Sequence, residues 1–254
     1  MGVAASIRSV ELFHLLFLVQ LSRRVDKRRF VVKGGCNLRF FHRSIRYSED
    51  MGLDLGEVDT HLFRDKVREI LASRPFAQIL EARALRIAHV TEHKQTETTQ
   101  RWKLALRTEG AAVALPTKIE FSRRGLDDGV VFGSIDANVT REYQVPALMV
   151  SHYDAAAAFR QKVGALAGRR QIQARDVFDV HHLLATGEAA GAVKDLDPLL
   201  AERAISNAMA VDFGTFKSQV LAFLPPDDQP RYDSASVWDA IVLEVAEALR
   251  TDRP

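Results

Sequence analysis

A glycine pair followed by an alternating acidic strand constrains this chain more than any other feature. In Lys33-Gly34-Gly35 the glycines end one element and open the next, and Met51, Leu53 and Leu55 then alternate with Asp50, Gly52 and Asp54. Successive side chains on a strand point to opposite faces, so this alternation predicts a strand over 48–55 with one apolar and one acidic face. A paired glycine leading into a helix lets backbone N–H groups approach a phosphate, because no side chain intervenes and the helix N-terminus favours an anion. Carboxylates at alternate positions share a face and can grip a divalent cation. Such oxygen ligands suit Mg²⁺, which neutralises phosphate oxygens during in-line displacement. Asp50 is the leading candidate, the plainer alternative being the solvated face of an edge strand.

Around this motif the periodicity divides the chain. Val10, Leu12, Phe13, Leu16 and Phe17 recur at helical spacing and predict a helix over 9–28. Glu11 and His14 interrupt its apolar run, so it reads as a buried helix rather than a secretion signal. Asp59 or Thr60 can cap a helix carrying Phe63, Val67 and Ile70 that ends before Pro75. Residues 83–93 and 100–109 read as a hairpin around a polar linker, 94–99. A third strand spans 116–123, with Ile119 and Phe121 on one face and Glu120 on the other, and another extended piece lies over 130–135. Beyond Pro146 the pattern turns helical: 153–167, 174–186, 197–209, 215–224 and 236–249. The expected architecture is α+β or α/β, a mixed sheet with flanking helices over 1–150 and a helical part over 151–254.

The single cysteine, Cys36, excludes an internal disulfide and a thiolate zinc cluster, and fits a reducing cytoplasm. Charge is distributed unevenly. Residues 1–47 hold ten basic and two acidic side chains, whereas residues 186–254 hold six basic and twelve acidic. A basic patch of this kind attracts phosphate groups or nucleic acid, unless it is only a solvated helix face. Arg39, Arg43 and Arg46 are candidate members.

Beyond the residues themselves, Lys33-Gly34-Gly35-Cys36-Asn37-Leu38-Arg39, followed by Arg46-Tyr47-Ser48-Glu49-Asp50-Met51, resembles the AbiEii/AbiGii toxin-like nucleotidyltransferases. Three later blocks continue the resemblance in order: Lys118-Ile119-Glu120-Phe121-Ser122, the helix from Phe159 to Leu166 with Lys162, and Arg175-Asp176-Val177-Phe178-Asp179. Together they cover most of residues 30–185. The resemblance implies a nucleotidyltransferase fold, an NTP substrate with Mg²⁺ or Mn²⁺, and transfer of a nucleotide to an acceptor, tRNA or another RNA. It also implies an opposing antitoxin. Carried over by position, Gly34, Gly35 and Ser48 would hold phosphates, and Asp50 would hold metal. Glu120 would complete the metal site and help deprotonate the attacking hydroxyl. Lys162 would neutralise triphosphate charge, and Asp176 would orient that lysine or the acceptor, so that the helical part completes the active site.

One position departs from the family's pattern. Where the family has a second aspartate, this chain has Gly52. Asp54 has the same parity but lies about 6.6–6.8 Å farther along a strand, and reaches the vacated position only if Gly52 permits a bulge. The alternative is therefore a catalytically degenerate relative that binds nucleotide or RNA without transfer. A third reading is an interaction module that docks through its acidic C-terminal helices. A fourth, a metal phosphohydrolase, rests on Asp179 and His182 sharing a helix face.

Overall fold

In this computed structural model, residues 3–109 and 113–250 are described, with side chains from Ser6 onward. The chain divides into two compact units. The first comprises residues up to Phe41 together with Tyr47–His152, and the second comprises His42–Arg46 together with the residues from Tyr153.

The first unit opens with α1 (Val3–Arg24), then β1 (Phe30–Lys33), α2 (Gly34–Phe41) and β2 (Asp50–Leu55). Next come α3 (Thr60–Ala72) and α4 (Arg74–Glu81), then β3 (Leu85–Thr96), β4 (Thr99–Thr108), β5 (Leu115–Ser122) and β6 (Val130–Ser134). A short α5 (Ala137–Glu142) and β7 (Met149–Tyr153), whose last residue belongs to the second unit, finish it. The strands form one seven-stranded mixed sheet in the order β3-β4-β5-β2-β1-β7-β6. β1 runs antiparallel to β2 and parallel to β7, and β2 runs parallel to β5.

Binary patterning explains the packing. On β2, Met51 and Leu53 are fully buried, as are Trp102 of β4 and Ile119 and Phe121 of β5. They meet Phe13 and Phe17 of α1, Phe63 and Val67 of α3 and Phe76 of α4 in one core. Phe63 sits edge-on to Phe121 at 4.7 Å, the geometry that aromatic quadrupoles favour. Each such buried side chain contributes roughly 1.5–3 kcal/mol. The apolar run in α1 is core, as expected. Its two interruptions are satisfied inside the protein: Glu11 by Arg39, and His14 by the Thr117 hydroxyl at 2.8 Å.

The second unit is helical: α6 (Ala155–Gly168), α7 (Ala174–Ala185), α8 (Ala190–Lys194), α9 (Pro198–Met209), α10 (Phe213–Gln219), α11 (Gln229–Tyr232) and α12 (Ala235–Ala248), with a 3₁₀ turn at Leu221–Phe223. Asp154, Asp197 and Asp212 cap α6, α9 and α10 by accepting from backbone N–H groups. Trp238 stacks on Phe216 at 4.5 Å and donates its indole N–H to the Val211 carbonyl. Among the described residues no helix is long and apolar enough to cross a membrane.

Several expectations change. The helix expected to end before Pro75 is followed at once by α4, because Ser73 accepts from the Phe76 N–H and Pro75 occupies the first turn, where its missing donor costs nothing. Most of the 94–99 linker is strand: β3 and β4 pair through Thr96 and Thr99. The helix expected over 215–224 splits into α10 and the 3₁₀ turn. β1, α5, β7, α8 and α11 had no predicted counterpart.

Candidate active site

The glycine pair opens α2, with the conformational demand concentrated on one residue. Gly34 opens α2 with φ +65°, in the left-handed region that L side chains avoid, and an added Cβ there would meet nothing within 4 Å. The requirement is thus conformational rather than steric. Gly35 follows within the same turn. In the ladder Lys33 is opposite Gly52, and the Cys36 thiol lies 3.4 Å from the Asp50 carbonyl, so α2 begins beside the first residues of β2. The Ser48 hydroxyl donates to that same Asp50 carbonyl at 2.8 Å, fixing the entry to the strand.

On the open face of the sheet, Asp50 pairs in register with Lys118, and Gly52 with Glu120. Asp50 and Glu120 therefore lie diagonally on neighbouring strands, a spacing of roughly 7–8 Å between backbones that a glutamate side chain can shorten. Each carboxylate has a basic neighbour: Lys118 Nζ is 2.7 Å from Asp50, and Arg101 pairs with Glu120. β2 keeps continuous register with β5 from Asp50 to Asp54 and with β1 from Gly52 to Leu55, so Gly52 introduces no bulge. Asp54 is buried and held by the Lys33 ammonium at 2.5 Å. The structure thus brings Asp50 and Glu120 to one face and leaves Asp54 to Lys33.

Mg²⁺ takes one or two protein carboxylates when phosphate oxygens and water complete its shell. By number and chemistry Asp50 and Glu120 are the two carboxylates that such an ion would take, in exchange for their pairs with Lys118 and Arg101. With Gly52 directly opposite Glu120 they offer no third carboxylate, and among the described residues no three acidic, histidine or cysteine side chains gather as a metal cluster.

In the second unit the predicted lysine and aspartate do meet. Lys162 of α6 and Asp176 and Asp179 of α7 are buried together. Lys162 Nζ lies 3.1 Å from Asp176 and 2.6 Å from Asp179. Arg46 grips Asp179 with two bonds, at 2.9 and 2.8 Å, and Arg169 reaches Asp176 at 2.7 Å. Burial alone would raise the Asp179 carboxyl, but Arg46 and Lys162 outweigh it and hold it down at about 2. Lys162 is therefore not a solvated lysine. Two of its three N–H donors are directed by aspartates, which fixes where the remaining one points.

Three sequence readings are corrected. Arg46 is buried against Asp179, and Arg39 is mostly buried against Glu11, so neither belongs to an exposed basic patch. His182 bonds the His42 carbonyl at 2.7 Å while Asp179 is taken by Arg46 and Lys162, which removes the phosphohydrolase pair. Lys33, Lys118, Arg101 and the Arg46–Asp179 pair were not anticipated. Lys33, Arg46, Lys118 and Asp179 lie inside the recognised blocks, but their pairings depend on register and tertiary contact.

This arrangement of a mixed sheet, a glycine-opened helix and carboxylates on adjacent parallel strands defines a nucleotidyltransferase-like α+β protein. Two solved structures share the fold: JHP933 from Helicobacter pylori, at 15% identity and TM-score 0.55, covering 96% of this chain and 93% of that one, and a candidate nucleotidyltransferase from H. pylori, at 15% identity and TM-score 0.56, covering 96% of each. The family described as nucleotidyl transferase AbiEii toxin of a type IV toxin–antitoxin system matches residues 16–245, and the chain belongs to that family. No curated protein matches it.

Proposed function

We propose that this protein transfers a nucleotide from an NTP to a hydroxyl of an RNA acceptor, tRNA in the first instance, as the toxin of a pair whose antitoxin opposes it. The observation that carries the reading is the start of α2 at Gly34 beside Asp50, with Glu120 on the same sheet face. Exposed N–H groups at a helix start suit phosphate oxygens. Asp50 and Glu120 would hold one Mg²⁺ or Mn²⁺, which supplies charge neutralisation at the phosphates when bound. Glu120 accepts the proton as the acceptor hydroxyl oxygen bonds to the α-phosphorus and the bond to the departing pyrophosphate breaks. Lys162, oriented by Asp176 and Asp179, is assigned to triphosphate charge. Positioning and electrostatics supply most of the acceleration.

The test is label transfer from each α-labelled NTP to total tRNA with Mg²⁺ or Mn²⁺. The expected result is transfer by the wild type that Asp50→Ala and Glu120→Gln abolish. A wild type that binds NTP yet transfers nothing, while Gly52→Asp transfers, would instead establish the degenerate reading.

A further inference from the structure

The ladder of β3, β4 and β5 places an unusual set of side chains on the sheet face that carries Asp50 and Glu120. Arg107 is directly opposite Arg86, Lys103 opposite Lys118, and Arg101 opposite Lys94. Like charges directly across a ladder repel and destabilise a sheet. Two members of the set are compensated, Lys118 by Asp50 and Arg101 by Glu120. The other four, Arg86, Lys94, Lys103 and Arg107, are exposed, and among the described residues none has an ion-pair partner. The opposite face of the same strands is the apolar core of Trp102, Leu104, Leu106, Ile119 and Phe121, so alternation forces the basic residues onto one side together.

We propose that this basic β3–β4–β5 face is the docking track for the RNA acceptor, an inference that rests on the transferase reading and names where its substrate lies. Charge complementarity selects the occupant. Protein–protein interface cores are depleted in lysine and rich in aromatic residues, whereas the exposed positions here are lysine and arginine with Thr91, His89 and the half-buried Ala105 between them, and Glu81 and Glu109 flank only the outer end at Arg86 and Arg107. Such a face neutralises backbone phosphates, and contacts of that kind release counterions. The track is continuous with the site: Lys118 and Arg101, its inner members, are the residues that pair with Asp50 and Glu120. An acceptor strand laid across Arg107 and Lys103 is thereby led toward the two carboxylates. None of the four free cations belongs to the basic N-terminal region noted in the sequence.

The experiment measures fluorescence anisotropy of labelled tRNA against the full chain over a salt series, for wild type, Lys103→Glu/Arg107→Glu, the neutral Lys103→Gln/Arg107→Gln, and a control double reversal, Arg160→Glu/Arg203→Glu. Binding of a fluorescent NTP and nucleotide transfer are read in parallel. All four substituted residues are exposed, and thermal melts check the fold. The expected result is a loss of RNA affinity of about tenfold or more in both Lys103/Arg107 variants. The log–log salt slope should fall by roughly 1.5 in the neutral variant, with NTP binding unchanged. RNA affinity that is unchanged in those variants, or equally reduced in the control, overturns the proposal while leaving the transferase reading intact. Absence of RNA binding by the wild type, or displacement of the RNA by polyglutamate at equal charge concentration, also overturns it, the latter in favour of an acidic protein surface. RNA binding that behaves as expected without any transfer supports the track and overturns the transferase reading.

Discussion

The Lys33 side chain passes over Gly52 and its ammonium reaches the Asp54 carboxylate at 2.5 Å, so a lysine chain roofs the glycine between Asp50 and Asp54. A Cβ added at Gly52 would meet Lys33 Cγ at 3.4 Å and backbone no closer than 3.9 Å, an ordinary contact. Gly52→Asp should therefore fold, melting within about 3 °C of the wild type. It adds a carboxylate opposite Glu120 and should tighten Mn²⁺ binding about tenfold, near 1.4 kcal/mol. Calorimetric titration measures this. Unchanged affinity would mean that Lys33 captures the new carboxylate.

Removing Arg46 leaves a buried carboxylate with Lys162 as its remaining cation. Arg46→Met should cost about 3–5 kcal/mol, the usual penalty for breaking one side of a buried pair, read from urea denaturation. Asp179 titrates lower in the folded chain than its ordinary 3.8, at about 2, so its contribution is present above pH 4 and is lost as pH falls toward 2. That contribution is about 2 kcal/mol. In Asp179→Asn the stability slope across this window should flatten, and a slope equal to the wild type's would show that another group carries it.

His14 acts in a different pH window. It is fully buried, and burial lowers it from 6.5 to about 3. The unfolded chain binds its proton first, so stability is complete above pH 6.5 and declines as pH falls toward 3. His14→Gln should lose some stability at pH 7 but show a shallower decline between pH 6 and 4, measured by thermal melts at each pH. Parallel wild-type and variant curves would be inconsistent with a buried neutral imidazole.

Gly34→Ala tests conformation without crowding. With φ +65° and open space around the added methyl, the expected cost is about 1–2 kcal/mol, all of it backbone. If this strained start also binds phosphate, the variant should weaken NTP binding beyond its loss of stability. A substitution that leaves both melting and NTP affinity unaltered would remove Gly34 from the site.

The longer helices of the second unit, α6, α7, α9 and α12, and the strands β2 to β5 were legible because their periodicities of 3.6 and 2 run over enough residues to be read. β1 was not. Its Phe30, Val31 and Val32 are buried on both faces, so the strand has no alternation to reveal it. Pro75 reads as a stop signal until Ser73 is seen capping a new helix. Asp50 and Glu120 were recognisable as types in a motif, but their diagonal placement depends on β2–β5 register. The lysine opposite Gly52 depends on β1–β2 register. The Arg46–Asp179 pair joins residues 133 apart in sequence, which no local pattern can report.

Arg46 belongs to the five-residue segment His42–Arg46, which is counted with the second unit although its neighbours on both sides belong to the first. A fragment beginning at Tyr153 would carry Asp179 without its arginine, and one ending at His152 would carry the arginine without its acid. Recombination at that point, or expression of either half alone, separates a pair that the folded protein needs joined. Despite its two compact units, the chain should be inherited, exchanged and engineered as one piece.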